Sequence, residues 1–600
     1  MRSFRKNFLQ PQSIGVIPQM GYRSRDVQSV KALRWLYQVQ ETQGVRLRTA
    51  LSSEGEVTLL GSKVDGYDEA TRTVYQFHGC YWHGCSTCYP READYHSRKR
   101  QRIGDLRETT RRRTQQLRDA GYRVEEMWEH EWDGWVEEHP EWEDVLKHRD
   151  PLDPREAMKG GRCNAAVLHY VCPPESTIQY VDFTSLYPSV QRDGGAYPLG
   201  HPQIITEEFG PPLSYYGLHK IKVLPPHDLY FPVLPVHWDN KLVFTLCRTC
   251  MENKERTLEC EHEDEARAVV GVWTTPELQK ALEKGYRVLR TYEVRHYPRT
   301  STTLFREYVQ RNLKLKQEAS GYPAWCRTEK DKRQYLEDYE RREGIRLNPD
   351  TIAKNPGMQA IAKLKLNSLW GKFAQNPIHS RTEYVEDPKR FYELVFGGTQ
   401  NVTNVLFVHD DVVQVQFTPK KQFLKDSGFI NVALASFVTS FARLKLYALL
   451  EQLGRRVLYY DTDSVIYVTS PGEAELPLGD CLGELTSELK PGDSIQEFVS
   501  TGPKSYAYRT RQGHSEVKCK GIELNLDSAE QINFEGMLSL VEGEEEELTV
   551  VHPTKIARNT KTRTLHTVEH RKVFKVVYDK RMRWGYETFP YGYHLPAGSS

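Results

Sequence analysis

Three aspartates stand where carboxylates could do chemistry. Asp182 lies near the end of "STIQYVDF", an alternating β-branched and aromatic run that predicts a strand, after which "TSLYPS" turns the chain. Alone, Asp182 reads equally well as a helix cap. Asp461 and Asp463 occupy the polar tip of "VLYYDTDSVIYV" (457–468), whose two apolar arms predict a hairpin. Two residues apart, they can point to one face. Alone, they too read as an ordinary polar turn. Clustered carboxylates resist ionisation unless a cation is present. Mg²⁺ suits such a group, because it takes a few carboxylates plus phosphate oxygens.

Further residues fit phosphate chemistry. In "AIAKLKLNSLWGKF" (360–373) a helix pattern puts Lys363, Asn367 and Gly371 four apart, on one face. Lysine there can neutralise a phosphate, and glycine lets a flat ring or a backbone come close. "TGPKSYAY" (501–508) offers Lys504 and Tyr506 at alternate positions of an expected strand, where both can reach a nucleic-acid backbone.

Together, "DFTSLYPS", "KLKLNSLWG", "YYDTDS" and "GPKSYAY" resemble motifs A, B, C and the Lys-x-Tyr motif of family B DNA polymerases, in the family's order. The versions are similar to those of protein-primed enzymes from viruses, linear plasmids and self-synthesising transposons. "GGRCNA" (160–165) resembles the Gly-Gly motif that precedes motif A in that group. The resemblance implies a right hand of palm, fingers and thumb, and DNA-directed DNA synthesis with two Mg²⁺ ions roughly 3.5–4 Å apart. It implies that Asp182 and Asp463 bridge the metals and that Asp461 supports them. It implies Tyr187 beneath the deoxyribose, Lys363 on the triphosphate, and Asn367 and Gly371 along the nascent base pair. Gly160, Gly161, Lys504 and Tyr506 would contact DNA. Template-primer, dNTPs and a terminal protein primer are the implied partners. The chain departs from the pattern at Trp370, where Tyr is usual, and at Gln359, where many relatives carry a second cation. Lys354 or Lys365 could make up for Gln359. No Asp-x-Glu motif of a proofreading exonuclease precedes Asp182. A reverse transcriptase would usually pair adjacent aspartates in motif C, which Asp461-Thr462-Asp463 does not. A non-catalytic DNA-binding scaffold would not need all three acids.

The chain has eleven cysteines, and six lie in two tight clusters. An odd count without a secretory segment argues against a disulfide framework and for metal. "LCRTCMENKERTLECEH" (246–262) gives Cys247, Cys250, Cys260 and His262 at the spacing of a structural zinc knuckle. "YQFHGCYWHGCSTCY" (75–89) supplies Cys80, Cys85 and Cys88, three ligands that suit tetrahedral Zn²⁺ with a fourth from elsewhere. This segment resembles very-short-patch repair endonucleases, over roughly 29–135. By that resemblance the fourth ligand is His130 in "GYRVEEMWEHEW", and Asp65, His78 and His83 match metal and general-acid/base positions of a nuclease. The acid expected on the first helix is missing from "SVKAL" (29–33).

These residues need a large scaffold. Six hundred residues exceed one core. The expected fold class is α+β multidomain: a small restriction-endonuclease-like α/β domain followed by the polymerase hand. The expected boundaries are a leader (1–28), a zinc-containing domain (29–135), a linker (136–159) and a polymerase domain (160–600). Within the last, motif A spans 182–189, an insertion with the zinc knuckle about 226–345, fingers about 346–385, motif C 459–464 and thumb about 516–600. The small domain is expected to hold a helix at 29–43, strands at 45–51, 56–61, 73–78 and 122–127, and a basic helix at 97–119. Net charge is only +1, but it is segregated: 96–118 is strongly basic and 542–548 acidic. No apolar run is expected to reach the length of a membrane span, and no secretory segment is evident. The expectation is a soluble, intracellular protein in the host cell of a virus or mobile element.

Overall fold

The computed structural model describes residues 2–10, 13–18, 28–96, 99–420, 424, 427–559 and 564–594. The β-branched and aromatic runs around the three aspartates pair into one nine-stranded sheet. Thr177–Phe183 is central, with Ser464–Thr469 antiparallel on one side and Ile495–Gly502 on the other. Beyond Ser464–Thr469 come Val457–Asp461 and Cys163–Ala165; beyond Ile495–Gly502 come Ser505–Thr510 and Ser515–Lys518. Alternate side chains face opposite ways along each strand. Val181, Phe183, Tyr460, Val465 and Tyr467 join one core, with the helix Val432–Leu453. Ile178, Tyr459, Ile466 and Phe498 join the other, with the helix Phe534–Glu542. The sheet is therefore buried on both faces, and only strand ends and edges are left for chemistry.

The membrane expectation needs correction. Val432–Arg456 is long and apolar enough to cross a membrane, with mean hydropathy 1.4 in its best window. However, 83% of that window is buried inside the fold. Its residues are apolar on all sides because it lies between the main sheet and a second one, and a helix buried all round needs no polar face. Its one deep charge, Arg443, pairs with Glu277 at 2.8 Å, and Ser440 also donates to Glu277. The same guanidinium donates to the Gly160 carbonyl at 2.9 Å. A buried pair this fully bonded fixes the approach of the Gly-Gly segment to the core helix.

The second sheet, of four strands, runs in the order Gln203–Ile205, Arg287–His296, Gly217–Leu224 and Val269–Thr274. It lies between the first two motifs, and two of its strands precede residue 226, the expected start of the insertion. A further three-stranded sheet, Arg381–Val385, Val412–Pro419 and Gln400–His409, carries the helix Pro388–Phe396 and falls between the second and third motifs. Past the core helices, Leu548–Asn559 and Thr564–Phe574 form a long, largely exposed hairpin. The chain then returns: Leu246 N–H donates to Tyr591 O at 2.8 Å, and Thr588 N–H to Ala166 O at 2.9 Å.

Near the N-terminus, Gly66–Asp68, Thr73–His78 and Arg123–Trp128 form a small sheet. Thr73–His78 is wholly buried and runs parallel to Arg123–Trp128. The helix Ile103–Asp119 makes the crossover that parallel strands require. The expected helix over 29–43 is Val30–Gln43, capped by Ser29. The expected strand at 45–51 is instead irregular chain, bridged at Arg48 to Tyr67. The basic helix begins at Ile103, after the short hairpin Tyr95–His96/Gln101–Arg102; residues 97 and 98 fall outside the described residues. The stretch expected as a leader, where described, packs into the main core. Phe4 is fully buried, 5.6 Å from Phe305 and 6.0 Å from Phe373 between ring centroids. The expected linker is likewise folded: Leu146 joins the N-terminal core, and Leu152 and Ala157 the main one.

Candidate active site and metal centres

Register brings the three aspartates together. Asp182 lies opposite Ser464, and Asp461 pairs with the same Ser464 across the hairpin. Phe183 N–H donates to the Asp463 carbonyl at 2.7 Å, so Asp182 and Asp463 sit at neighbouring strand ends. The hairpin tip closes through Thr462 in the left-handed region (φ 58°). Ser185, just after Asp182, is also left-handed (φ 54°) and turns the chain into the helix Leu186–Asp193. Non-glycine residues rarely adopt this conformation, and strain of this kind gathers where the backbone must aim functional groups. Burial, then the charge of Asp463, pushes the Asp182 carboxyl up to about 7. Burial, then Asp461, raises Asp463 as well. Glu488 adds to both. It follows Leu485–Ser487, which pairs with the Asp182 strand; no sequence spacing marks it. Two partly buried carboxyls that resist ionisation in each other's company have the chemistry of a divalent-cation site.

Gly161 has a defined place here. A Cβ on it would lie 2.7 Å from Thr462 Oγ1 and 2.8 Å from Cγ2. Thr462 N–H donates to Arg162 O at 2.7 Å. The Gly-Gly segment thus packs directly beneath the hairpin tip. Gly160 is exposed beside it.

Lys504 is in a turn (φ 62°) between Ile495–Gly502 and Ser505–Thr510, not on the strand where alternation placed it. Its Nζ donates to Asp461 Oδ1 at 3.0 Å and Oδ2 at 3.1 Å. Its N–H donates to Tyr459 Oη at 2.8 Å. Lys504 therefore pairs directly with Asp461, and its charge only partly offsets the rise at Asp463. Tyr506 does lie on the strand, but it is buried and its hydroxyl bonds that of Tyr180 at 3.0 Å. The expectation that it reaches outward to nucleic acid does not match this placement. It supports the sheet beneath the acids.

Lys363, Asn367 and Gly371 line one exposed face of Pro356–Ala374, as their spacing predicts. The opposite face buries Ala362, Leu366, Leu369 and Phe373. Trp370 stacks on Tyr187, with ring centroids 4.6 Å apart and 12° between planes. Gln359 Nε2 donates to Ser320 Oγ at 2.9 Å. Lys354 and Lys365 are exposed. Lys316, on the packed helix Arg306–Glu318, is within reach of Lys363: burial, then Lys363, lowers its pKa. Sequence spacing cannot find Lys316, because it meets Lys363 only through helix packing.

Both sulfur clusters assemble. The donor atoms of Cys80, Cys85, Cys88 and His130 lie within 4.8 Å of one another, as do those of Cys247, Cys250, Cys260 and His262. His130 Nδ1 is 3.3 Å from Cys80 Sγ and 3.6 Å from Cys85 Sγ. Cys250 Sγ is 3.5 Å from Cys260 Sγ and 3.4 Å from His262 Nδ1. Those separations suit tetrahedral donors around one Zn²⁺. The second cluster also abuts the returning C-terminal chain: a Cβ on Gly592 would fall 2.3 Å from Cys247 Cβ.

Asp65, His78 and His83 gather beside the first cluster. Asp65 Oδ2 accepts Phe77 N–H at 2.8 Å, and burial raises its carboxyl. His78 Nε2 is 2.9 Å from Glu126 Oε1, and the His78 and His83 rings are 4.9 Å apart. Burial, then His78, pulls the His83 imidazole down to about 4. His83 Nδ1 lies 3.3 Å from Thr110 Oγ1.

A profile of the family described as DNA polymerase type B, organellar and viral, matches residues 141–328 and 341–452, together half of the chain. Among solved structures, Phi29 DNA polymerase complexed with primer-template DNA and incoming nucleotide substrates is 14% identical, with TM-score 0.44 over 73% of this chain. This chain spans 66% of that one, just under two thirds. Phi29 DNA polymerase complexed with single-stranded DNA gives 13% identity and TM-score 0.45, over 96% of this chain and 88% of that one. No curated protein matches.

Proposed function

This chain belongs to the organellar and viral type B DNA polymerases, and from that premise we propose that it is a DNA-directed DNA polymerase. The observation that carries the reading is the pair Asp182 and Asp463, held at neighbouring strand ends with both carboxyls raised. Two Mg²⁺ ions held there would stabilise the attacking primer 3′-oxygen and the departing pyrophosphate oxygen. Asp182 and Asp463 hold those ions. Asp461 and Lys504 form a neutral pair that braces the hairpin tip. Lys363 and Lys316 bind the dNTP triphosphate from two helices, which offsets the missing cation at Gln359. Tyr187 lies under the sugar with its ring set by Trp370, and Asn367 and Gly371 border the new base pair. In this assignment the main sheet is the palm, Pro356–Ala374 the fingers and the chain from about 516 the thumb. Gly160 and Gly161 lie where a template strand could approach the hairpin tip.

The finer parts of the reading follow the same logic. Zn²⁺ would fill both sulfur clusters as a structural ion. Residues 29–135 form an endonuclease-like unit around Asp65, His78 and His83, bearing a basic helix for a DNA backbone. A terminal protein would serve as primer, in a virus or mobile element. Primer extension on DNA and RNA templates, with dNTPs and with rNTPs, tests the central assignment. Synthesis from dNTPs on a DNA template is expected. No extension of any primer would overturn it, and preference for an RNA template would favour a reverse transcriptase.

A further inference from the structure

The helix Pro356–Ala374 offers Lys363, Asn367 and Gly371 on its exposed face, so its position rests on what packs behind it. Phe373, on the hidden face, is fully buried. One ring that meets it is Phe4, on the short helix Arg2–Phe8, with centroids 6.0 Å apart and planes at 84°. Phe4 also stacks on Phe305 at 5.6 Å and meets Tyr308 edge-on at 5.2 Å. Phe8 meets the same Tyr308 edge-on at 5.4 Å. Tyr308 Oη donates to Lys365 O at 3.1 Å, which ties the helix Arg306–Glu318 to Pro356–Ala374 close to Lys363. Phe4 and Phe8 therefore pack where the two helices meet, and edge-on and stacked rings fix geometry as well as burying area.

The same stretch of chain is fastened a second time, away from those helices. Gly200 N–H donates to Ser13 O at 2.9 Å, and Ile14 forms a parallel bridge with Gly200. Ile14 and Ile17 are both buried. A Cβ on Gly15 would fall 2.2 Å from Gly200 O, so no side chain fits between them. Asn431, the cap of the core helix Val432–Leu453, then joins three elements. Its Oδ1 accepts Leu434 N–H at 3.0 Å, and its Nδ2 donates to Gly15 O at 3.0 Å. Its own N–H donates to Phe373 O at 3.1 Å. Ser13 and Gly15 are thus tied to the base of the core helix, and Phe4 and Phe8 to the back of the helix pair.

We propose that the segment carrying Phe4 and Gly15 is a strap that holds Arg306–Glu318 and Pro356–Ala374 in the arrangement that binds dNTP, which makes Phe4 and Gly15 positioning residues for nucleotide binding. The functional half of the inference rests on the polymerase reading. Neither residue touches the nucleotide; both act through where the helix pair stands. When only a fraction of molecules holds the competent arrangement, apparent affinity falls by that fraction, and saturating ligand restores it. A loosened strap should therefore cost dNTP affinity and spare the maximal rate.

The test is single-turnover extension by the full-length chain with dNTP varied, alongside hydrogen exchange of the helix at 356–374. Phe4→Ala should raise the half-saturating dNTP concentration about tenfold and keep the maximal rate within about twofold of the parent's. Amide exchange at 356–374 should quicken in the same variant. Phe4→Leu, which keeps apolar bulk, should fall between parent and Phe4→Ala. Gly15→Ala is the second variant, and it decides the matter where Phe4→Ala does not fold. It takes no ring from the helices, but its methyl meets the Gly200 backbone and should lift the strap, with the same loss of dNTP affinity. Unchanged dNTP affinity in Gly15→Ala, or in folded Phe4→Ala, would overturn the proposal. So would a lower melting midpoint with unchanged dNTP affinity, the result expected of core packing alone. Faster exchange at 356–374 in both variants of a parent that extends no primer would support the strap and overturn the polymerase reading.

Discussion

Tyr187 and Trp370 behave as one unit, because stacked rings 4.6 Å apart restrict each other. An aromatic pair of this kind is worth about 0.5–1.5 kcal/mol. Tyr187→Ala should remove the barrier beneath the sugar and raise rNTP use relative to dNTP, whereas Tyr187→Phe should keep it. Trp370→Ala should relax the same discrimination more weakly, by roughly two- to tenfold, matching the lost stacking. Trp370→Tyr should restore it. Steady-state kcat/KM ratios for rNTP over dNTP check this; an unchanged ratio in Tyr187→Ala would remove the ring from the sugar site. The pair was half legible in sequence. Motif spacing identifies each ring, but only the fold shows that they touch. Lys316 and Glu488 were not legible, because each acts on a residue far away in the chain through packing or register.

Asp182 also makes a pH prediction. Its folded carboxyl is raised to about 7, above its ordinary value. In the metal-free protein the raised pKa contributes stability that is full below the ordinary carboxylate range and is lost as pH rises through about 7. Binding of Mg²⁺ needs the ionised form, so it must displace a proton below that pH. The Mg²⁺ midpoint for extension should therefore climb by about tenfold per pH unit below 7 and level off above it. Midpoints measured from pH 5.5 to 8.5 give the slope. A flat profile would mean that Asp182 is ionised throughout and holds no shared proton.

At the scale of elements, the hairpin tip depends on what packs beneath it. Gly161→Ala drives a methyl group into the Thr462 side chain. Thr462 neighbours both Asp461 and Asp463, so extension should fall by roughly tenfold, equivalent to ~1.4 kcal/mol, at little cost in DNA binding. Thr462→Gly removes every atom that the new methyl meets, and glycine suits the left-handed backbone there. The double variant should recover extension. If Gly161→Ala is as active as the parent, the Gly-Gly segment does not support the tip. Alternation placed Lys504 on a strand, and the structure places it in the adjoining turn; sequence patterns locate elements more securely than their ends.

The sulfur clusters differ in what they hold. The first joins the loop after Thr73–His78 to the start of the helix Glu129–Glu138, within one unit. The second lies against Gly592 and so connects the chain at 246–262 to the C-terminal return. Chelation should expose both. Structural Zn²⁺ contributes to folding directly. Cys250→Ser should lower zinc content by one and make the chain after Phe574 the first site cut by protease. Cys85→Ser should also lose one zinc but leave that cleavage unchanged. Equal cleavage in both variants would show that the second cluster does not anchor the C-terminal chain. Cysteine spacing announced the second site whole and three ligands of the first, because ligands close in sequence leave a local signature; His130 lies far along the chain and came only from the resemblance.

At the scale of the whole molecule, the strands of the main sheet that carry motif residues were legible from their β-prone runs, but their pairing into nine strands was not. The sheet Arg381–Val385, Val412–Pro419 and Gln400–His409 was not marked off. Its short strands resemble those of the main sheet, and only pairing separates them. The leader was misread for a related reason: Phe4 finds its partners some 300 residues later in the sequence, at Phe305 and Tyr308. What all these parts position is the pair Asp182 and Asp463. The most direct test is single-turnover extension of a labelled primer-template by Asp463→Ala, with DNA affinity measured on the same preparation. The account predicts extension reduced by at least about a thousandfold, equivalent to roughly 4 kcal/mol of transition-state stabilisation, with DNA affinity within a fewfold of the parent. Extension near the parent's rate would contradict it.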